Sequence, residues 1–162
     1  MASEREPDSD GNRRATLQLV IALGRASQAI ERGVRPQLAR SGLGMTEFAV
    51  LEVLYHKGPQ PLGEIRDRIL VTGASTTYVV KKLEERGLMR RRTSREDQRV
   101  VLGELTAKGR ALIDKVFPAH VEQLCQVMAG LSVSQKREAT RLIRLLSQHA
   151  RRHTGERITE DD

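Results

Sequence analysis

The chain has 162 residues, a formal net charge of +7, 38% hydrophobic but only 2% aromatic residues, and one cysteine. This length suits a single domain, and a core built mainly of Leu, Val, Ile and Ala favours a helical protein over a β-sandwich. A single cysteine excludes an internal disulfide framework, and the lack of a long apolar run or a signal-like N-terminus predicts a cytoplasmic protein with no membrane partner.

The charge is unevenly distributed along the chain. Residues 1–10 and 156–162 each carry one arginine against four acids, which predicts a disordered acidic tail over residues 1–12 and a polar tail over residues 153–162. Residues 61–110 hold twelve Lys or Arg and seven Asp or Glu. An excess of positive charge in the middle of the chain favours a polyanionic partner, first of all nucleic acid.

Helical spacing of apolar residues predicts a first long helix over residues 13–40. Its Leu-rich early part is wider than one amphipathic stripe, as expected if it packs against a partner as well as its own domain. A second helix begins near "MTEFAV", with Thr46 as the expected N-cap and Glu47 in the first turn, and ends at Gly58-Pro59.

A helix-turn-helix is predicted next. Its first helix spans about residues 62–69, and its second spans about 73–86, with Thr72 as N-cap and Gly87 as the C-terminal stop. Turning Leu83 inward buries Thr76, Val79 and Val80. It leaves these side chains pointing outward: Ala74, Thr77, Tyr78, Lys81 and Glu85.

Two short runs, "LMRRR" and "RVVLGEL", flank the stretch "TSREDQ" and predict a β-hairpin with that stretch near its tip. A helix of about 106–130 follows, in which Pro118 is expected to bend or break the helix. A capping box, Ser132 with Gln135, then opens a last helix that ends near residue 151. The expected fold class is therefore mostly α with a small β-hairpin wing (α+β).

Helix, turn, helix and basic hairpin together indicate binding to double-stranded DNA. A helix fits the major groove, with its N-terminal end aimed at phosphates and base edges. The expected contacts are hydroxyls and one cation from the second helix, and arginines from the wing. We expect Asp97 to pair with one of these arginines and to fix its rotamer. The candidate DNA-binding residues are Thr72, Ser75, Thr77, Tyr78 and Lys81 on the helix and Arg91, Arg95 and Arg99 on the wing.

The chain resembles the MarR family of winged helix-turn-helix transcription regulators. "LEERGLMRR" is similar to the family's pattern at the end of the recognition helix, and "REDQRVVLGELTAKGRAL" to its wing and the following helix. The similarity extends over about residues 43–113. Tyr78 stands where the family often has a basic residue, and Gly103 replaces a usual apolar strand residue, which is expected to loosen the hairpin.

The resemblance implies one MarR-like domain over residues 13–152. It implies a DNA-binding lobe at 43–106 and a helical dimerisation region made of residues 13–40 and 107–152. It also implies an obligate homodimer on a pseudo-palindromic operator, with repression usually released by a small aromatic acid or an oxidant. Two other functions stay open: a nonspecific architectural DNA-binding protein, and a winged-helix module that binds proteins.

The remaining candidate residues have competing interpretations. Phe48 and Tyr55 are either ordinary core residues or line an effector pocket. Cys125 lies on an apolar stripe, which favours a core or interface position over a redox role. His149 and His153 are four residues apart without a third ligand, so no metal site or cofactor is expected, and the lack of a nucleophile motif or P-loop argues against an enzyme.

Overall fold

The computed structural model describes residues 10–69 and 76–155. These residues form six helices and three short strands. They are α1 (Asp10–Arg40), α2 (Met45–Lys57), β1 (Gln60–Pro61), α3 (Leu62–Arg68), α4 (Thr76–Glu85), β2 (Met89–Thr93), β3 (Val101–Leu105), α5 (Ala107–Val127) and α6 (Val133–Thr154). The fold is mostly helical with a small sheet, which confirms the predicted fold class.

The sheet is antiparallel, in the order β1-β3-β2. Arg90 lies opposite Glu104, and Arg91 lies opposite Gly103. This register confirms the predicted hairpin. The two-residue strand β1 is an addition that the sequence did not predict, and it pairs with β3 through Gln60 and Gly103.

Gly103 lies at a close contact between the sheet and α3, and the expected loosening of the hairpin stays a prediction. A methyl group added at Gly103 would lie 2.9 Å from Cε of Met89 and 3.1 Å from Cδ1 of Ile65. The glycine therefore lets α3 pack closely on the middle strand.

A single apolar core joins α2 to the helix-turn-helix, the sheet and α5. Because α2 is buried on several sides, its apolar residues do not form one narrow stripe. The largest fully buried side chains are Leu38, Leu51, Leu54, Ile65, Leu83, Leu88, Met89, Ile113, Val34 and Val50.

The end of the wing is joined to α5 by a short polar motif. The Thr106 hydroxyl donates to the carbonyl oxygen of Gly87 at 2.7 Å and accepts from the Gly109 amide at 3.0 Å, which caps the helix. A methyl group added at Gly109 would overlap the carbonyl oxygen of Leu88. The "LTAKG" stretch therefore sets how closely α5 approaches the turn after α4.

Several helix boundaries differ from the predictions. Helix α1 begins at Asp10, so residues 10–12 are helical and do not belong to a disordered tail. Thr46 is not the N-cap of α2: Gly44 is, and the Glu47 carboxylate accepts the Gly44 amide hydrogen at 2.6 Å.

Near the C-terminus, α5 continues through Pro118 without a break. The predicted capping box of Ser132 and Gln135 is confirmed, and α6 runs on to Thr154, a little further than predicted. Residues 153 and 154 are therefore helical, and their assignment to the polar tail is wrong. The rest of the two predicted tails, residues 1–9 and 156–162, lies outside the described residues.

The chain divides into two compact units, the first ending at Cys125 and the second beginning at Gln126. The first contains the core and the sheet. The second contains α6, whose residues are mostly exposed. In the parts that the structure describes, no helix has the length and apolar character needed to cross a bilayer.

Candidate nucleic-acid interface

Helix α4 has one buried face and one exposed face, as predicted. Val79, Val80 and Leu83 are buried in the core. Thr77, Tyr78 and Lys81 are exposed on the other side, and the Tyr78 side chain is 66% exposed. Hydroxyls and a cation on a helix that the core holds in place are well suited to contact phosphates and base edges.

The beginning of the predicted recognition helix lies outside the described residues. Thr72 and Ser75 fall within residues 70–75, so their predicted roles as cap and phosphate ligand stay predictions. The other end of the helix is defined. Gly87 has φ of +67°, and the Leu88 amide donates to the carbonyl oxygen of Leu83 at 2.9 Å, which confirms Gly87 as the stop.

A groove of about 220 Å³ runs between α3 and α4 and reaches the first wing strand. Thr77 and Arg91, two of the predicted DNA contacts, both line it. Nε of Arg91 lies 3.0 Å from Oε2 of Glu84 on α4. The structure therefore places one wing arginine beside the recognition helix, where an acid orients it.

The other two strand arginines, Arg90 and Arg92, share a different acid. Nε of Arg90 lies 2.6 Å from Oε1 of Glu104, and Nε of Arg92 lies 2.9 Å from Oε2 of the same carboxylate. These hydrogen bonds, the one from Arg92 foremost, hold the pKa of Glu104 below its usual value. Because Arg90 and Arg92 are two residues apart in a strand, both lie on the face opposite Arg91.

The wing tip carries Arg95 and Arg99, both exposed. Within residues 10–69 and 76–155 neither has an ion-pair partner. The predicted partner of Asp97 is wrong: its Oδ1 accepts the backbone amide hydrogen of Arg99 at 2.9 Å, and among the described residues no guanidinium pairs with it. Asp97 therefore shapes the turn, while the tip arginines stay available to a partner.

A buried carboxylate that the sequence analysis missed holds the far end of the recognition helix. Oε1 of Glu47 lies 3.1 Å from Nζ of Lys82 and 3.1 Å from Nη1 of Arg86. Burial alone would raise the pKa of Glu47, but the Gly44 amide and these two cations together lower it. Only the position of Glu47 in the first turn of a helix hinted at this role.

A cavity of about 160 Å³ lies on the other side of α2, between α2, the end of α3 and α5. Its lining is mostly apolar, with a carboxylate, a guanidinium and an imidazole. The lining residues are Met45, Phe48, Ala49, Glu52, Val53, Arg68, Ile69 and His120. Phe48 is also a core residue, 2% exposed. Its position is therefore compatible with both predicted interpretations, a core residue and a residue that lines an effector pocket.

Tyr55, the second predicted pocket residue, packs elsewhere on α2. Its ring lies 5.9 Å from that of Phe117 and 5.3 Å from the guanidinium carbon of Arg110. A hydrogen bond to Asp114 raises its pKa. These contacts support the interpretation of Tyr55 as a packing residue.

Cys125 is exposed on α5, so a core position within its own chain is wrong. An interface position for this residue stays a prediction. His149 and His153 are exposed on α6.

The family model that matches this chain is that of the MarR family, over residues 43–101. The HTH-type transcriptional regulator MhqR of Bacillus subtilis (strain 168) is 39% identical over 136 residues, which are 84% of this chain and 94% of that protein.

Two solved structures illustrate the shared fold. BpsR of Bordetella bronchiseptica, whose DNA binding is regulated by 6-hydroxynicotinic acid, is 28% identical. The alignment covers 78% of this chain and 90% of BpsR, with a TM-score of 0.68. Sco3205 of Streptomyces coelicolor, which was solved in complex with DNA, is 19% identical to this chain. The alignment covers 91% of this chain and 92% of Sco3205, with a TM-score of 0.71. The chain belongs to the MarR family of DNA-binding transcriptional regulators.

Proposed function

We propose that this protein is a repressor that binds a pseudo-palindromic operator as a homodimer and responds to a small aromatic effector. The observation that carries the DNA-binding part is the division of the wing arginines. Three are oriented by Glu84 or Glu104, whereas Arg95 and Arg99 at the tip face solvent. Phosphates of the operator are the ligands that these two guanidinium groups would take.

The exposed face of α4 supplies the sequence-reading part of the proposal. Thr77, Tyr78 and Lys81 would enter the major groove, with Thr72 and Ser75 at the beginning of the helix. Lys81 is 3.8 Å from Glu85 on the same exposed face, a surface pair that contributes little free energy and that a phosphate can replace. Arg91, beside the helix, would contact the adjoining backbone.

Two apolar faces support a homodimer. In the first unit, α1 exposes Leu17, Val20 and Ile21, and the side chain of Leu17 is 64% exposed. In the second unit, α6 exposes Leu142, Leu145 and Leu146, which lie on one face at helical spacing. Apolar stripes of this kind are typical of protein interfaces. We propose a second copy of this chain as their partner, using residues 13–40 and 107–152.

A dimer would present two recognition helices related by a two-fold axis. Each would then read one half-site, with the half-sites about 34–36 Å apart along the DNA. An effector would act by favouring a dimer whose two helices no longer match this spacing. Such an effect requires different affinities of the effector for the two states.

The cavity beside Phe48 supports the effector part of the proposal, together with the regulation of BpsR by an aromatic compound. Its volume suits one aromatic ring, because cavities of about 150 Å³ accept benzene. Its position places it against α2, which also packs against the recognition helix.

Sedimentation of the full chain tests the dimer. Leu142→Glu should convert a dimer into a monomer and weaken operator binding, because the charge would be buried in the interface. Ser147→Glu adds the same charge about 140° round the helix and should leave the dimer intact. A chain that sediments as a monomer and still binds an inverted repeat tightly would contradict the proposal.

The two competing functions differ in DNA preference. An architectural protein and a repressor both neutralise phosphates, so their salt dependence is alike. The ratio of the affinity for operator DNA to the affinity for nonspecific DNA separates a repressor from an architectural protein. A protein-binding module would bind neither operator DNA nor nonspecific DNA. We expect this ratio to be at least about 10³.

A further inference from the structure

Helix α6 carries a basic face that the proposed function leaves unexplained. The helix holds six Lys or Arg and a single acid. An arginine stripe, formed by Arg137, Arg144 and Arg151, repeats every seven residues, which places its members on one side of the helix about 10 Å apart. Leu142 and Leu146 lie on the opposite side. The arginine stripe and the proposed dimer face are therefore separate surfaces.

The one acid of α6 does not neutralise the arginine stripe. Nε of Arg141 donates to Oε2 of Glu138 at 2.9 Å, and Nη2 of Arg141 donates to Oε1 at 2.7 Å. One guanidinium thus occupies both oxygens of this carboxylate. Arg137 and Arg144 are exposed, and neither has an ion-pair partner among the residues that the structure describes. A row of such guanidinium groups attracts carboxylates and phosphates.

A groove of about 540 Å³ runs along this side of α6. Arg137 and Arg144 of the stripe line it, together with Arg141, Thr140 and Gln148. Its lining residues extend over about 18 Å of the helix, from Lys136 to Gln148. Cations and hydrogen-bonding side chains in a line of this length suit an extended acidic segment better than a single small anion.

Such an acidic segment follows α6 in the chain itself. Residues 156–162 read "ERITEDD", with four acids and one arginine. Gly155 ends the helix in the left-handed conformation, with φ of +73°, which turns the backbone away from the helix axis. Arg144 lies about 16 Å back along the helix from Gly155, and five to seven extended residues span about 17–24 Å. The acids at 160–162 can therefore reach the part of the groove around Arg144.

We propose that the acidic segment, residues 156–162, folds back along α6 and pairs with Arg144, so that it shields the arginine stripe from other polyanions. Because the acidic segment directly follows Gly155, its effective concentration at the stripe is in the millimolar range. A polyanion in solution must displace it before binding there. The contact lies within the second unit and does not depend on the proposed effector or dimer. Its consequence is a lower affinity for nonspecific DNA, with the operator contacts of α4 and the wing unaffected.

Affinity for a nonspecific DNA duplex tests the shielding. The acidic segment is neutralised by combining Glu160→Gln, Asp161→Asn and Asp162→Asn. At about 50 mM salt this variant should bind the duplex about tenfold more tightly, and two additional phosphate contacts would steepen the slope of log affinity against log salt by about 1.8. Operator affinity should rise much less, so the ratio of operator to nonspecific affinity should fall. Unchanged affinity for the nonspecific duplex would overturn the proposal.

A matched variant separates shielding from net charge. Glu4→Gln, Glu6→Gln and Asp8→Asn together remove the same charge from the other end of the chain. They should raise nonspecific affinity by less than about twofold, because exposed charges farther away than about 10 Å are largely screened. An equal gain in this variant and in the neutralised acidic segment would overturn the proposal, since net charge alone would then explain both.

Arg144→Gln assigns the contact to the arginine stripe. In the natural chain it should change nonspecific affinity by less than about twofold, because the acidic segment already occupies this guanidinium. In the neutralised variant it should remove most of the gain. Arg25→Gln removes an exposed arginine of α1 and should have the same effect in both backgrounds. Equal losses from Arg144→Gln in both backgrounds would overturn the proposal and show that DNA already reaches the stripe, and no effect in either would overturn it as well.

Nuclear magnetic resonance of the full chain observes the contact without DNA. The Nε–H resonance of Arg144 should shift when the acidic segment is neutralised. In the natural chain it should shift in the same direction as salt is raised to about 500 mM, because exposed ion pairs are screened. The resonance of Arg25 should stay in place when the acidic segment is neutralised. An Arg144 resonance that is the same in the natural chain and in the neutralised variant would contradict the contact.

Discussion

Oε1 of Glu47 lies 3.1 Å from Nη1 of Arg86, which joins the first turn of α2 to the residue that follows the recognition helix. The Glu47 side chain is 7% exposed, so this contact is shielded from solvent on one side. The same carboxylate caps α2 through the Gly44 amide. One acid therefore holds the end of α4 in a fixed position against the core.

We expect Glu47→Gln to lower the free energy of unfolding by about 1.5–3 kcal/mol, because hydrogen bonds to charged groups contribute in that range. Glu85→Gln, which breaks only an exposed pair with Lys81, should change stability by less than about 0.5 kcal/mol. Urea denaturation at pH 7 measures both. Equal stabilities of the two variants would show that the Glu47 contacts are weak.

The lowered pKa of Glu47 also predicts a pH dependence. An acid with a folded-state pKa below its ordinary value of 4.5 stabilises the fold above that pH. This stabilisation is lost as the pH falls through the folded-state pKa. Denaturation between pH 3 and pH 6 should therefore show a less steep loss of stability in Glu47→Gln than in the natural chain. Parallel curves would be inconsistent with this interpretation.

Gly109→Ala should destabilise the protein by about 3 kcal/mol or more, because the added methyl group would overlap the carbonyl oxygen of Leu88. Gly24→Ala is the matched control. A methyl group at Gly24 would have no neighbour within 4 Å, so there the change should stabilise α1 by about 0.5–1 kcal/mol. Thermal melting distinguishes the two, and a harmless Gly109→Ala would disprove the close packing of α5.

Arg99→Ala should weaken operator binding with little change in melting temperature, because the side chain is exposed and unpaired among the described residues. It should also reduce the slope of log affinity against log salt by about 0.9 if it contacts one phosphate. Lys115→Ala removes an exposed cation on α5, away from the wing, and serves as the control. Operator affinity that Arg99→Ala leaves unchanged would contradict the role of the wing tip.

Tyr78→Phe and Thr77→Val each remove one hydroxyl from the exposed face of α4. If these hydroxyls contact bases, the variants should prefer different operator bases, by about 1–3 kcal/mol at the contacted position. Binding to a set of single-base operator variants measures this. A uniform loss across all operators would indicate contacts to phosphates alone.

Local patterns predicted the parts of the site that depend on local structure. The buried and exposed faces of α4 follow from helical periodicity around Leu83, and the hairpin follows from two apolar runs around a polar turn. The stop at Gly87 follows from its need for a positive φ. Each of these features is set by residues close together in the chain.

Long-range features could not be predicted in the same way. Which acid orients each wing arginine depends on strand register, so Glu104 was missed and Asp97 was assigned the wrong partner. The burial of His120 depends on how α5 crosses α2. The close packing around Gly103 was not predicted because its neighbours Met89, Ile65 and Leu62 lie on other elements.

Sequence-specific recognition of DNA by a dimer can be tested by selecting bound fragments from a random DNA pool, with the full chain at near-physiological salt. We predict enrichment of an inverted repeat with half-sites about one helical turn apart. Tight, salt-sensitive binding without enrichment of any sequence would contradict sequence-specific recognition and indicate an architectural DNA-binding protein.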